Sequence, residues 1–341
     1  MNLPRVAIII LNWNGFSDTQ ECLESLKILN YSHYRIVLVD NGSQNNEGQK
    51  LKELFPAIHL IENRENRGFA GGNNDGMNWA MAQGFDYIVN LNNDCIVEKD
   101  WLSNFINGLL AAKADFGSSM ILFYDDRTSI CSDNDILLPD GSAIPINRNK
   151  HRTADDSPRG IFAACGAGSV YSRECLEKTK IKGNQFFDEL HFAFYEDVDL
   201  GIRLKARGCH GVVIPQAIVY HKHSKTAGKY SEFKMFHSEK NRMLNEILNY
   251  PLWLIPLGEI FFSLKLCAGF VYSLLNRESK GARYRGKISI GRFLLLLLRA
   301  RLWIFQHWKD ILPDRQERKR RQLISGDVYK HFYWNLFDFL K

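Results

Sequence analysis

The chain has 341 residues, 45% hydrophobic and 12% aromatic, enough for a substantial core, which excludes wholesale disorder. Its net charge of +6 is uneven: residues 277–341 hold 16 Lys and Arg against 6 Asp and Glu, the preceding residues 28 against 32. A mildly acidic body with a basic tail predicts an anionic partner for the tail, nucleic acid or a lipid surface.

Seven scattered cysteines show no CxxC pair and no zinc spacing, so they read as reduced thiols in a cytoplasmic protein, mostly packing. The opening MNLPRVAIIILNWNG has an apolar run of only six residues before Asn12, which does not fit a secretory signal.

RVAIIIL (5–11) reads as a buried strand. Ser17 is placed to open a helix, with Gln20 as capping-box partner and Cys22, Leu23, Leu26 and Leu29 on one face. YRIVLVD (34–40) is a second strand, followed by a helix around 46–54; AIHLIEN (57–63) is a third strand. NNDGMNWAMAQG (73–84) reads as a helix closed by Gly84, and YIVNL (87–91) as a fourth strand. This alternation predicts a parallel sheet covered on both faces.

Open sheets of that kind bind ligands at the carboxyl ends of their strands, and the unusual polar residues fall there. Asn12, Trp13 and Asn14 follow the first strand, and Asp40 and Asn41 the second. A glycine–asparagine loop at 66–74, with Asn66, Gly68, Gly71, Gly72 and Asn73, follows the third; Asn92, Asn93 and Asp94 follow the fourth. The glycines are expected to let backbone approach a ligand closely. NWNGFSD lacks the G-x-G-x-x-G pattern, and no phosphate loop ending in GK[ST] is present, so a diphosphate would need another counter-charge. Asp94, flanked by amides, suits a hard divalent cation.

VAIIILNWNG, VLVDNGS, NRGFAGGNNDG and LNNDCIVEKDWL together resemble the family 2 glycosyltransferases, and within them the rhamnosyltransferase-like branch of bacterial cell-surface polysaccharide synthesis. The resemblance implies an α/β chain with the GT-A nucleotide-diphospho-sugar transferase fold, a mostly parallel sheet with helices on both faces. It implies that Asp40 contacts the nucleobase, that the glycine–asparagine loop lines the donor pocket, and that Asp94 holds magnesium or manganese. Asn92 stands where a strict D-x-D motif has its first Asp, which leaves the cation one carboxylate fewer.

FAACGAGSVYSRECLEK (162–178) is rich in small residues; the resemblance puts Gly166 and Ala167 on the acceptor side. Residues 195–207 read as a helix stopped by Gly208, with Asp199 and Arg203 as an i,i+4 ion pair. Glu196 and Asp197 sit in its first turn, where carboxylates favour the helix dipole. Sugar transfer also needs a base for the acceptor hydroxyl. The resemblance assigns that role to Asp197, with Glu196 orienting the acceptor or only capping. It also places His221, after a strand at 212–220, near the metal; His223 is a competing candidate and Lys222 a phosphate contact.

PLWLIPLGEIFFSLKLCAGFVYSLLN (251–276) and FLLLLLRARLWIFQHW (293–308) are apolar but interrupted by charge, short of the ~20 unbroken apolar residues of a spanning helix. They fit helices lying in a membrane interface, with ERKRR (317–321) adding attraction to anionic lipid; the alternative is packing on the catalytic domain or on a second subunit, with a solvated charge run. Nucleic acid is not expected, because no binding motif accompanies the charge.

The sequence therefore predicts a catalytic domain over 1–245 and a helical, basic, amphipathic region over 246–341. The expected activity is inverting transfer of a sugar, rhamnose being the branch's commonest, from a nucleotide-diphosphate donor to a saccharide or lipid-linked acceptor. The place is the inner face of the cytoplasmic membrane. Two rivals are a sugar-1-phosphate nucleotidylyltransferase and a degenerate, membrane-bound scaffold.

Overall fold

Strand β1 (Val6–Asn12) explains the layout of the first hundred residues: Val6 through Ile10 are wholly buried, on both faces. In the computed structural model, which describes residues 3–223, 231–275 and 288–335, it lies between two parallel neighbours, β2 (Tyr34–Asp40) and β4 (Tyr87–Asn92). Strand β3 (His59–Glu62) continues the parallel set beyond β2. Alternate side chains of β1 enter two separate cores. Val6, Ile8 and Ile10 meet Leu23 and Leu26 of α1 (Phe16–Leu26), Leu51 of α2 (Glu47–Leu54) and, further along the chain, Trp101. Ala7 and Ile9 meet Met77 and Ala80 of α3 (Gly68–Ala82). Each buried aliphatic side chain contributes roughly 1.5–3 kcal/mol, so this strand anchors both layers.

Beyond β4 the pairing changes sense. Short β5 (Cys95–Val97) leads to α4 (Trp101–Ala112) and then to β6 (Phe116–Phe123). Three short strands follow, β7 (Ile130–Ser132), β8 (Asp135–Leu137) and β9 (Ala143–Pro145), and then β10 (Arg159–Gly160). Strand β11 (Gly168–Ser172) inserts antiparallel between β4 and β6. Helices α5 (Arg173–Thr179) and α6 (Glu196–Ala206) precede β12 (Gly211–His221), which runs parallel to β6 and antiparallel to β5. The path across the sheet is β10-β12-β6-β11-β4-β1-β2-β3.

The chain divides into two compact units, Met1–Asp135 with Pro145–Ser224, and Ile136–Ile144 with Lys225–Lys341. The boundary expected at 245 falls inside α7 (Glu232–Asn249), whose Leu244, Asn245 and Leu248 are buried without a break. The second unit adds α8 (Ile255–Leu275) and helices Ile290–Gln306 and Trp308–Arg320. Its interior is charged: Arg242 meets Glu239, Glu246 and Glu259 at 3.0, 2.8 and 2.8 Å, and Lys265 pairs with Asp140. The Arg242 guanidinium is buried with these partners, and burial raises the Glu246 carboxyl to about 9 against the pull of Arg242. Of the ERKRR stretch, expected to face anionic lipid, Lys319 and Arg320 are exposed but Arg318 is not available to it. Arg318 is fully buried, bonded to Asp314 at 3.2 Å and Asn249 at 2.7 Å.

Two local expectations change. Helix α1 starts at Phe16 behind Gly15, and no side chain caps it. A Cβ at Gly15 would lie 2.5 Å from the Asn93 amide nitrogen, so tertiary contact, not the Ser17 capping box, sets the turn. The supposed loop 66–74 is helical from Gly68 onward. Its glycines suit close packing: a Cβ on Gly72 would stand 2.3 Å from Leu11 Cδ1, and one on Gly76 2.5 Å from Ile9 Cγ2. Weak helix propensity is overridden here by close contact with the sheet.

Candidate active site

Three strand ends of the first unit are tied by one chain of hydrogen bonds. Asn12 donates from Nδ2 to Asp40 Oδ1 at 3.2 Å, to Ser43 at 3.0 Å and to Glu47 at 3.0 Å. Its Oδ1 accepts from the Thr19 hydroxyl at 2.7 Å, and Thr19 accepts from Asn93 Nδ2 at 2.9 Å. The path thus runs from Asp40, after β2, to the residue before Asp94, after β4. Asn14 adopts φ 50 and braces the same turn, taking the Gln44 amide on its Oδ1 at 2.8 Å. Trp13 stands beside it, 40% exposed despite its size.

Asp40 is buried but not saturated: it accepts from Asn12 and from the Gly48 amide at 3.2 Å, and a carboxylate has about four acceptor positions. Asn41 is spent internally. It donates to Asn66 Oδ1 and the Gly68 carbonyl and accepts from Asn63 and the Arg67 amide. Asn41 and Asn66 therefore hold the turn into α3. Asn73, also buried, bonds the Phe69 carbonyl and Asn90. Gly71 packs against Arg67, and Gly68, at φ +72, lies where a Cβ would meet the Phe192 carbonyl at 2.4 Å. These contacts give the loop's glycines a packing role.

Asp94 Oδ1 lies 3.1 Å from His221 Nε2, at the end of β12. Burial pulls the His221 pKa down, but the bonds to Asp94 and Cys131 outweigh it and hold it at about 9. The pair fits a hard or borderline cation. Ligands about 2.1 Å from an octahedral ion stand about 3.0 Å apart when adjacent, close to the observed separation. The carboxylate suits magnesium or manganese, while the imidazole adds a donor of the borderline class. Cys95 lies nearby, its thiol pushed well up by burial. Lys222, expected at a phosphate, instead bonds Asp18 at 3.0 Å and Glu21 at 2.7 Å on α1.

Asp197 occupies the first turn of α6. Its carboxylate accepts from the Gly166 amide at 3.2 Å and the Val198 amide at 2.8 Å. Burial raises its pKa, and the amide bonds oppose that shift. Gly166 lies under the Phe69 ring, and the carbonyl of buried Ala167 takes the Asn92 amide at 3.3 Å. Asp197 thereby joins the end of β4 that also carries Asp94. Glu196, buried in the same turn, precedes it. Sequence reasoning missed Asp135: its carboxylate comes within 4.8 Å of both Asp197 and the Cys165 thiol. Burial and the neighbouring Asp197 charge raise the Asp135 pKa to about 7, against the Ser132 hydroxyl and Arg148. In CSDNDILLPDGS nothing marks this aspartate from its neighbours, because the pairing spans 62 residues of chain.

The family model described as Glycosyl transferase family 2 matches residues 7–179. Glycosyltransferase GlyA of Streptococcus pneumoniae serotype 4 is 25% identical over 113 residues, which cover 33% of this chain and only 16% of GlyA. An N-acetylglucosaminyl-diphospho-decaprenol L-rhamnosyltransferase of Mycobacterium tuberculosis is 24% identical over 263 residues, 67% of this chain and 78% of the relative. The solved structure of GalNAc-T7 with UDP, GalNAc and Mn2+ aligns at a TM-score of 0.61 and 13% identity, covering 98% of this chain and 59% of that one. At that identity the likeness shows the fold alone, and the fold is GT-A.

Proposed function

Since the chain belongs to the family 2 glycosyltransferases, we propose that it moves a sugar from a nucleotide-diphosphate donor to an acceptor hydroxyl, with inversion at the anomeric carbon. Asp197 carries the reading. It is the carboxylate whose raised pKa, fixed orientation and carboxylate neighbour suit it to take a proton. The acceptor oxygen loses its proton to Asp197 as it attacks the anomeric carbon, and the bond to the diphosphate oxygen breaks in the same displacement. Asp40 offers acceptor positions to a nucleobase, and exposed Trp13 offers a ring face for stacking. Asp94 and His221 would hold a divalent cation, whose chemistry is to neutralise charge on the leaving diphosphate. Glu196, Gly166 and Ala167 flank Asp197 on the acceptor side.

The relative from M. tuberculosis makes rhamnose donors and lipid-linked saccharide acceptors the first to assay. Asp197→Asn should lower kcat by about 10²–10⁴ while donor-induced thermal stabilisation persists. Normal turnover by that variant would sink the assignment.

The second unit supports placement at the inner face of the cytoplasmic membrane. Helix α8 exposes Leu257, Ile260, Leu264 and Val271, and helix Ile290–Gln306 exposes Leu294, Leu298 and Phe305, in a lysine- and arginine-rich region. Residues Leu252–Tyr272 are long and apolar enough to cross a bilayer by length and composition. Their Lys265, however, is buried against Asp140, which favours a helix lying on the surface with one side committed to protein. The protein should co-sediment with vesicles containing anionic phospholipid and be released by salt. No pelleting with such vesicles at low salt would refute this placement.

A further inference from the structure

Cys131 does not fit the reading of the cysteines as packing residues. It lies on β7, 2% exposed, with Sγ 2.8 Å from His223 Nε2 and 3.9 Å from His221 Nδ1. The two imidazoles stack with centroids 4.2 Å apart. We propose that Cys131 through Sγ, His223 through Nε2 and His221 through Nδ1 form a second cation site, for a borderline-soft ion of the zinc class. It shares His221 with the Asp94–His221 pair, which uses the opposite ring nitrogen, and since a neutral imidazole has one free lone pair the ring serves one cation at a time.

Thiolate and imidazole donors select zinc over magnesium or manganese, whereas the carboxylate of Asp94 does the reverse. Bond lengths of about 2.3 Å to sulfur and about 2.0–2.1 Å to nitrogen put tetrahedral sulfur–nitrogen edges near 3.5 Å. The two observed sulfur–nitrogen separations bracket that value, and the three donor atoms lie within 4.8 Å of one another. His223 takes φ 54, a left-handed conformation that non-glycine residues adopt at a cost and that clusters at functional positions. It is exposed, which gives an ion a way in from solvent, with a water as fourth ligand. Binding would release two protons to solvent, one from the Cys131 thiol and one from His221 Nδ1, with no change of oxidation state.

Arg148 opposes binding. Its Nη2 is 3.1 Å from His223 Nε2, its Nη1 donates to the Cys131 carbonyl at 3.1 Å, and it lies over the Phe123 ring. An arriving cation must displace this guanidinium, so removing it should tighten binding. No zinc spacing shows in the sequence because 90 residues separate Cys131 from His221.

The test uses the full chain, stripped with a chelator and titrated with Co2+, then Zn2+. No donor or acceptor is present, so the result is independent of the transfer reaction. A thiolate-to-cobalt charge-transfer band in the near ultraviolet should appear at one equivalent and be displaced by zinc. Cys131→Ser should abolish the band, and this variant and His223→Gln should each weaken zinc binding by about tenfold or more. Arg148→Gln should tighten it, and Asp94→Asn should retain the band. A Cys131→Ser protein with the wild-type band and zinc affinity overturns the proposal. So does loss of the band in Asp94→Asn with its retention in Cys131→Ser.

Discussion

Arg203 holds helix α6, and with it Asp197, against the sheet; its removal has a calculable cost. The side chain is wholly buried, Nε and Nη2 lie 3.0 and 2.8 Å from Asp199 Oδ2, and the Thr179 and Phe186 carbonyls accept from Nη1 and Nη2. Arg203→Met keeps the apolar stem but leaves the Asp199 carboxylate buried without its guanidinium. Breaking one side of such a pair costs about 3–5 kcal/mol, and the two carbonyls push the figure towards the upper end. At about 2–4 °C per kcal/mol for a domain of this size, the melting temperature should fall by about 10–20 °C. Thermal unfolding followed by far-ultraviolet circular dichroism reads this directly. Asp199→Leu with Arg203→Met should recover a large part of the loss, because no charge is then stranded. A single variant within about 3 °C of the parent would show that water reaches the pair, and the burial argument would fail.

Gly72→Ala tests whether the glycines of α3 serve packing or a ligand. The added methyl meets Leu11 Cδ1 at 2.3 Å, an overpacking cost of about 1–3 kcal/mol, partly offset by about 1 kcal/mol of helix propensity. Stability should drop while donor affinity of the folded protein stays put; the opposite pattern would restore the ligand reading. Asp135→Asn tests the carboxylate pair by pH. The base must be ionised, and Asp135, at about 7, titrates together with Asp197, so activity should fall as pH drops through that region. Removing the neighbouring negative charge lowers the pKa of Asp197, so the acidic limb of kcat/KM should move to lower pH. An unmoved limb would separate Asp135 from the base.

Local pattern carried much of this protein. The apolar run Val6–Ile10 and the Asp199–Arg203 spacing each foretold an observed element, because each depends on residues adjacent in sequence or one helical turn apart. The polar residues at the strand ends were visible for the same reason: a parallel strand delivers its carboxyl end to one edge of the sheet, so Asp40 and Asp94 had to lie near it. What those side chains do once there is a separate matter. Asn41, Asn66, Gly72 and Asn73 have the composition of a binding loop, yet their contacts are with one another, with β1 and with β4. Composition cannot tell a backbone pressed on a ligand from one pressed on a neighbouring strand.

The parallel sheet with helices on both faces, the strand-end acids and the helix that carries Asp197 were determined by the sequence, since hydrophobic period and turn chemistry are short-range. Tertiary structure alone decided that Asp135 faces Asp197, that Cys131 meets His221 and His223, and that Arg318 is interior. Those contacts join segments tens of residues apart, and the burial that shifts a carboxyl or a thiol exists only once the intervening chain has packed around it.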